Sequence, residues 1–110
     1  MARKIIERVI ASSGNVFADM GLPDAGELDT KARLGAAICR IVARRKLTQI
    51  QVAAALGINQ PKVSALLHYN LEGFSVERLM RFLTALGHDV EIVIRPRPRA
   101  HGARIAVRAA

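Results

Sequence analysis

The stretch LTQIQVAAALGINQPKVSALL, residues 47–67, decides the fold of this chain. Thr48 and Asn59 are residue types that cap helix N-termini, and each is followed by a short segment of helix-forming composition. Gly57 separates the two segments, and glycine readily takes the left-handed conformation that ends a helix. Pro61 falls in the first turn of the second segment, where its missing N–H costs nothing. The spacing therefore predicts two short helices joined by a tight turn.

Small and apolar residues recur where two such helices would pack together. Counted from Gln49, Ala53 is the fifth residue and Gly57 the ninth, which suits a close crossing followed by a turn. Apolar spacing alone fits any three-helix bundle. Together with the small residue, the glycine and the charge of the surrounding segment, it favours a helix-turn-helix motif. The expected core residues of the motif are Val52, Ala53, Leu56, Ile58, Val63 and Leu66.

This motif resembles the helix-turn-helix of the phage-repressor family (Cro/C1, or xenobiotic-response-element), and the likeness covers roughly residues 30–86. A narrower resemblance, to the small HigA-like antitoxins, is carried by SSGNVFADMGLPDAGELDTKARL at 12–34 and HDVEIVIRPR at 88–97. The resemblance implies a mainly α fold, a lambda-repressor-like bundle of four to five helices with one C-terminal β-strand paired in a dimer. It also implies a sequence-specific transcriptional repressor, an antitoxin that binds its own operator.

The second helix of the motif supplies the residues expected to read DNA. A major groove admits one helix, whose N-terminal residues reach the base edges. Gln60 can pair with adenine, Lys62 can reach guanine or a phosphate, and Ser64 can touch either. Gln49 resembles the family's phosphate-clamping glutamine. The expected DNA contacts are Arg44, Arg45, Gln49, Asn59, Gln60, Pro61, Lys62 and Ser64.

Two simpler interpretations of these residues stay open. Gln60 can be an ordinary first-turn residue, and the basic cluster 44–46 can be a solvated helix end with no ligand. Lys46 is the weakest member of that cluster as a DNA contact.

Charge is distributed unevenly along the chain. Seventeen basic residues oppose nine acidic ones, which gives 110 residues a formal charge of +8. Residues 30–71 contain seven basic residues and no acidic one, whereas residues 9–29 contain four acidic residues and no basic one. The basic block holds the expected DNA contacts. The acidic block, over 16–29, is a candidate contact for a basic toxin.

Hydrophobic periodicity predicts further helices outside the motif. One lies within residues 1–11, and a long one begins at an N-cap at Asp29 or Thr30 and ends near residue 46. Another begins after Ser75 and ends at Gly87. The stretch 16–28, which contains glycines and a proline, is expected to be a loop or a short helical turn.

After His88 the apolar period changes to two, which is typical of a strand. A lone strand leaves its backbone unpaired and needs a partner. Residues 5–10 of the same chain are one candidate. A second copy is preferred, because a dimer also presents two recognition helices to a pseudo-palindromic operator. The expected dimer contacts are Val90, Ile92 and Ile94.

These features divide the chain into four parts. We expect an N-terminal arm and acidic loop at 1–29, a DNA-binding domain at 30–87, a dimerising strand at 88–95 and a flexible basic tail at 96–110. No apolar run is long enough for a membrane span, and charged residues interrupt the N-terminus before a signal peptide forms. One cysteine fits a reducing cytoplasm.

No catalytic motif is present in the sequence, and histidine spacing does not suit a metal, so neither an enzyme nor a cofactor is expected. Two alternative functions stay open beside the autorepressor. One is a protein-interaction module that mainly neutralises a toxin. The other is a stand-alone phage-type repressor without a toxin.

Overall fold

A computed structural model describes residues 2–12, 14–97, 99, 102 and 104–109, with Ala2 by its backbone alone. Within these ranges the chain forms six helices: α1 Ala2–Ala11, α2 Val16–Asp19, α3 Ala25–Arg44, α4 Gln49–Leu56, α5 Gln60–Leu67 and α6 Val76–Ala85. The expected number was four to five. It was too low because residues 16–19 close a helical turn of their own. None of the helices in the described ranges has the length and hydropathy of a membrane span.

The helix-turn-helix forms with the predicted caps. The Thr48 hydroxyl accepts the N–H of Gln51 at 3.2 Å, and the Gln51 side chain accepts the N–H of Thr48 at 2.8 Å. This reciprocal capping box satisfies two backbone donors at the start of α4. Gly57 ends α4 with φ at +68°. Asn59 then begins α5 by accepting the N–H of Lys62 at 2.9 Å.

Helix α3 begins earlier than predicted, and neither Asp29 nor Thr30 caps it. Both residues lie inside the helix and are buried. The Thr30 hydroxyl donates to the carbonyl of Gly26 at 3.0 Å, a bond that exists only within a helix already formed. The extra turn allows Leu28 to pack against α1 and α2. Burial of this apolar surface offsets the low helix propensity of Gly26.

Two apolar clusters meet on α3. The smaller one joins α1 and α2 to its N-terminal half and contains Ile6, Val9, Val16, Phe17 and Ala32. The larger one joins α3 to the helix-turn-helix and α6 and contains Leu34, Ile38, Ile41, Val42, Val52, Val63, Leu66, Leu71, Phe74, Leu79, Phe82, Leu83 and Leu86. Helix α3 is therefore the element on which both the N-terminal helices and the helix-turn-helix are positioned.

The predicted strand at 88–95 is not formed in this single chain. No described residue belongs to a β-ladder, and residues 88–97 run without regular structure. Val90 packs against the larger cluster, whereas Ile92 and Ile94 are 72% and 93% exposed. The intrachain alternative is excluded, because residues 5–10 are helical in α1. Within the described ranges no segment pairs with residues 88–95, so the backbone of this stretch has no ladder partner.

The C-terminal tail contacts the helical body. Val107 packs against the larger cluster and, with Arg108, borders a cleft beside Arg33 and Arg40 of α3. Flexibility of the tail stays a prediction, and part of it falls on residues outside the described ranges: Pro98, Ala100, His101, Ala103 and Ala110.

Candidate nucleic-acid interface

The N-terminal end of α5 is exposed, and the inner face of the same helix is buried in the core. Val63 and Leu66 have no exposed surface. Asn59, Gln60 and Pro61 are exposed. Burial of one face and exposure of the N-terminal end is the geometry that major-groove insertion requires.

The first two polar residues of α5 differ in how freely they can bind a ligand. The Asn59 side-chain oxygen is engaged by the Lys62 N–H at 2.9 Å, so its amide N–H₂ group is what remains for DNA. In the described part of the chain Gln60 makes no side-chain hydrogen bond. Gln60 therefore keeps both a donor and an acceptor for a base edge.

Lys62 is held beside an aromatic side chain. Its ammonium lies 5.6 Å from the centre of the Phe74 ring. The guanidinium of Arg78, in the first turn of α6, lies 5.7 Å from the same centre and 5.5 Å from that of Phe82. The two rings meet edge to face at 5.8 Å. This aromatic pair places two cations at the junction of α5 and α6.

Sequence reasoning missed Arg78 as a member of this site. The available signal was local: Ser75 caps α6 and accepts the N–H of Arg78 at 3.1 Å, so Arg78 had to lie in the first turn. Its stacking on the two phenylalanines depends on tertiary packing. We add Arg78 to the candidate phosphate contacts.

The remaining expected contacts occupy different surroundings. Gln49 is exposed at the start of α4. Ser64 is half-buried on α5, and its carbonyl lies 2.7 Å from Nδ1 of His68. Arg44 is exposed in the last turn of α3 and makes no ion pair within the described ranges.

Arg45 has a structural contact that its sequence position did not reveal. Its Nη1 donates to the carbonyl of Leu86 at 2.9 Å. That carbonyl belongs to the C-cap of α6, so the bond links the end of α3 to the end of α6. One guanidinium nitrogen of Arg45 is therefore engaged within the protein, which leaves the other nitrogens for DNA.

Cys39 and Tyr69 lie at the C-terminal end of α5. The Cys39 thiol is 3.8 Å from the carbonyl of Leu66, and Tyr69 is its neighbour. Burial raises the pKa of the Cys39 thiol, an effect that the neighbouring Tyr69 side chain partly opposes. Burial and the neighbouring Cys39 raise the pKa of Tyr69 to about 12. Both groups are therefore neutral at physiological pH.

The alkaline titration of Tyr69 should show this shift directly. Because the chain has one tyrosine and no tryptophan, phenolate absorbance reports Tyr69 alone. We expect a midpoint at about pH 12 in the folded chain, against an ordinary value of 10.0. The raised pKa contributes stability that is fully present below pH 10.0 and is lost as the pH rises through about 12. In urea, the unfolded chain should give the ordinary value. The same ordinary value measured on the folded protein would contradict the burial of the phenol.

Comparison with known proteins gives two matches. A family model described as a helix-turn-helix domain matches residues 16–95. A solved structure described as an XRE-family transcriptional regulator is 61% identical to the chain, with a TM-score of 0.76. The alignment covers 80% of this chain and 100% of that one. None of the curated proteins matches the sequence.

Proposed function

The chain belongs to the helix-turn-helix domain family, and from this we infer a DNA-binding transcriptional regulator whose helix α5 enters the major groove. The XRE-family regulator that is 61% identical supports the same function. The N-terminal end of α5 is the feature that supports its assignment as the helix that enters the major groove. This end is exposed, and within the described ranges the Gln60 side chain makes no hydrogen bond, while Val63 and Leu66 on the inner face of the helix have no exposed surface.

We propose that one polar side chain reads a base edge and that the others contact phosphates. Gln60 reads a base edge, because a glutamine amide matches the donor and acceptor of adenine in the major groove. Lys62 and Arg78, held by Phe74, contact phosphates on one side of the groove. Gln49, at the N-terminal end of α4, and Arg44, at the C-terminal end of α3, contact further phosphates. Phosphate contacts set the register of the complex and base contacts set its specificity.

The active species is proposed to be a homodimer joined by residues 88–95. Within the described ranges these residues form no ladder, and they expose Ile92 and Ile94. Antiparallel pairing with a second copy would satisfy the backbone and cover both side chains. The two copies of α5 would then read half-sites about one helical turn apart.

Exchange of Gln60 for alanine should separate base reading from phosphate binding. On an operator selected from random DNA, Gln60→Ala is expected to cost about 1–3 kcal/mol and to relax one base position. Arg44→Ala should weaken binding to all sequences alike and lower the salt slope by about one. Gel-shift titrations at two salt concentrations measure both effects, with Arg8→Ala on α1 as the control for loss of charge. Unchanged binding in both variants would contradict the groove assignment.

The finer proposal is that this regulator represses its own operon as an antitoxin. It is supported by the resemblance of 12–34 and 88–97 to HigA-like antitoxins. The contact surface for a basic toxin would be smaller than the acidic block predicted from sequence. Glu27 lies 3.7 Å from Lys31, and Asp29 lies 3.0 Å from Arg33, which leaves Asp19 and Asp24 as the exposed carboxylates of this block without an ion pair in the described ranges.

Co-expression with a short reading frame adjoining the gene tests the antitoxin proposal. We expect the two proteins to co-purify and the pair Asp19→Asn and Asp24→Asn to weaken the complex, whereas the matched change Asp89→Asn should not. Absence of any toxic neighbouring product would favour the stand-alone repressor.

A further inference from the structure

A groove of about 680 Å³ separates α1 from the C-terminal half of α3 and extends to the end of α5. Its apolar walls are formed by Ile6, Ile10, Val42, Leu47 and Leu67. The volume lies in the range of small-molecule sites, which combine apolar walls with a few polar groups.

The polar groups of this groove carry an excess of positive charge. Arg3, Arg40 and Lys46 line it, and Glu7 is the acidic residue among its lining. Glu7 lies 3.6 Å from Arg3 and compensates that charge. Neither Arg40 nor Lys46 forms an ion pair in the part of the chain that the structure describes. The uncompensated cations favour an anionic ligand.

Cys39 and Tyr69, which also line the groove, add neutral hydrogen-bonding groups. The thiol and the phenol are neighbours, and burial raises the pKa of each, so both are protonated at neutral pH. They provide polar atoms beside the apolar walls without adding a negative charge that would repel an anion.

The groove also contacts both ends of the helix-turn-helix. Lys46 and Tyr69 are the non-glycine residues with left-handed backbone in the described ranges, with φ of +53° and +61°. In each case it ends a helix, since the N–H of Leu47 bonds to the carbonyl of Val42 at 3.0 Å and the N–H of Asn70 bonds to that of Ala65 at 2.9 Å. Lys46 lies two residues before the N-cap of α4, and Tyr69 lies two residues after the end of α5. A ligand in the groove would touch both junctions.

We propose that this groove binds an amphipathic carboxylate, an acyl or aryl carboxylic acid, and that occupancy alters DNA binding. The hydrocarbon lies between α1 and α3, and the carboxylate faces Arg40 and Lys46. The binding site follows from the groove itself, whereas its effect on DNA rests on the proposed function. Bound ligand fixes the two left-handed junctions and thereby the orientation of α4 and α5.

The native chain contains two reporters for this site. Tyr69 is the only tyrosine in the sequence, which has no tryptophan, and Cys39 is the only cysteine. Titration with decanoate, below its micelle concentration, should change tyrosine fluorescence saturably with one site per chain. It should also slow the reaction of Cys39 with iodoacetamide in proportion to occupancy. Decanol, the neutral analogue, should bind about tenfold more weakly.

Variants locate the anion site. Arg40→Gln should bind decanoate about tenfold more weakly, whereas Arg8→Gln, an equal loss of charge on the outer side of α1, should bind as the native chain does. Helical circular dichroism shows that both variants fold. Equal binding of decanol and decanoate, unaltered binding by Arg40→Gln, or binding without protection of Cys39 would each overturn the site.

The effect of the bound ligand on DNA binding is tested with the selected operator DNA. Decanoate should change the DNA affinity of the native chain at least about threefold, and this change should vanish in Arg40→Gln. Decanoate binding with unaltered DNA affinity would overturn the regulation and leave the site standing. A chain that binds no DNA at all would refute the proposed function instead, since the fluorescence and alkylation measurements contain no DNA.

Discussion

Replacement of Phe74 by alanine is expected to lower the free energy of unfolding by about 3–5 kcal/mol. The side chain is 2% exposed and its ring contacts Phe82 edge to face at 5.8 Å. Alanine leaves a cavity in the larger cluster and removes the aromatic contact. A domain of this size has about 5–15 kcal/mol of stability in total. Urea denaturation followed by circular dichroism measures the loss, and a loss below about 1 kcal/mol would contradict the packing described for Phe74.

Phe74→Leu separates stability from DNA binding. Leucine keeps most of the apolar volume, so the variant should lose under about 2 kcal/mol and stay folded. It removes the ring face beside Lys62 and Arg78, whose cations lie 5.6 Å and 5.7 Å from its centre. DNA affinity should therefore fall about two- to tenfold.

Phe17→Leu is the matched control for that experiment. Phe17 is 8% exposed in the smaller cluster, and no described cation stacks on it. It should lose comparable stability without loss of DNA affinity. If Phe74→Leu binds DNA as the native chain does, the ring is not what positions the two cations.

The sequence predicted the helix-turn-helix well because its determinants are local. Thr48 and Asn59 cap helices that start within one turn of them, and Gly57 adopts its left-handed φ at the position where the pattern required a turn. A cap, a turn and a buried stripe are each encoded within a few residues.

The features that were missed depend on partners distant in sequence. The contact of Arg45 with the carbonyl of Leu86 spans 41 residues, and no local pattern reveals it. The position of Arg78 on Phe82 depends on how α6 packs. The early start of α3 depends on burial of Leu28 against α1 and α2, which outweighs the tendency of Gly26 to end helices.

The apolar residues of 88–95 follow a two-residue period that predicts a strand, yet no described segment of the chain pairs with them. Ile92→Ser combined with Ile94→Ser should convert the proposed dimer to a monomer. Because these side chains are 72% and 93% exposed in the single chain, their loss should leave the monomer folded. Its urea midpoint should not depend on protein concentration, whereas that of the native dimer should. Sedimentation equilibrium measures the mass. Loss of linkage between two reading helices should lower operator affinity about 10²- to 10⁴-fold.

The control for that pair is Ile105→Ser, which removes a 77% exposed isoleucine from the tail and should leave mass and affinity unaltered. Truncation after Gly87 should also give a monomer, but a less stable one, because it removes Val90 and Val107 from the larger cluster. Comparison of the two monomers separates the role of 88–95 in association from its role in packing. A double variant that keeps the mass and operator affinity of the native chain would show that the exposed isoleucines do not join two copies, and the dimer contact would then have to lie on the helices.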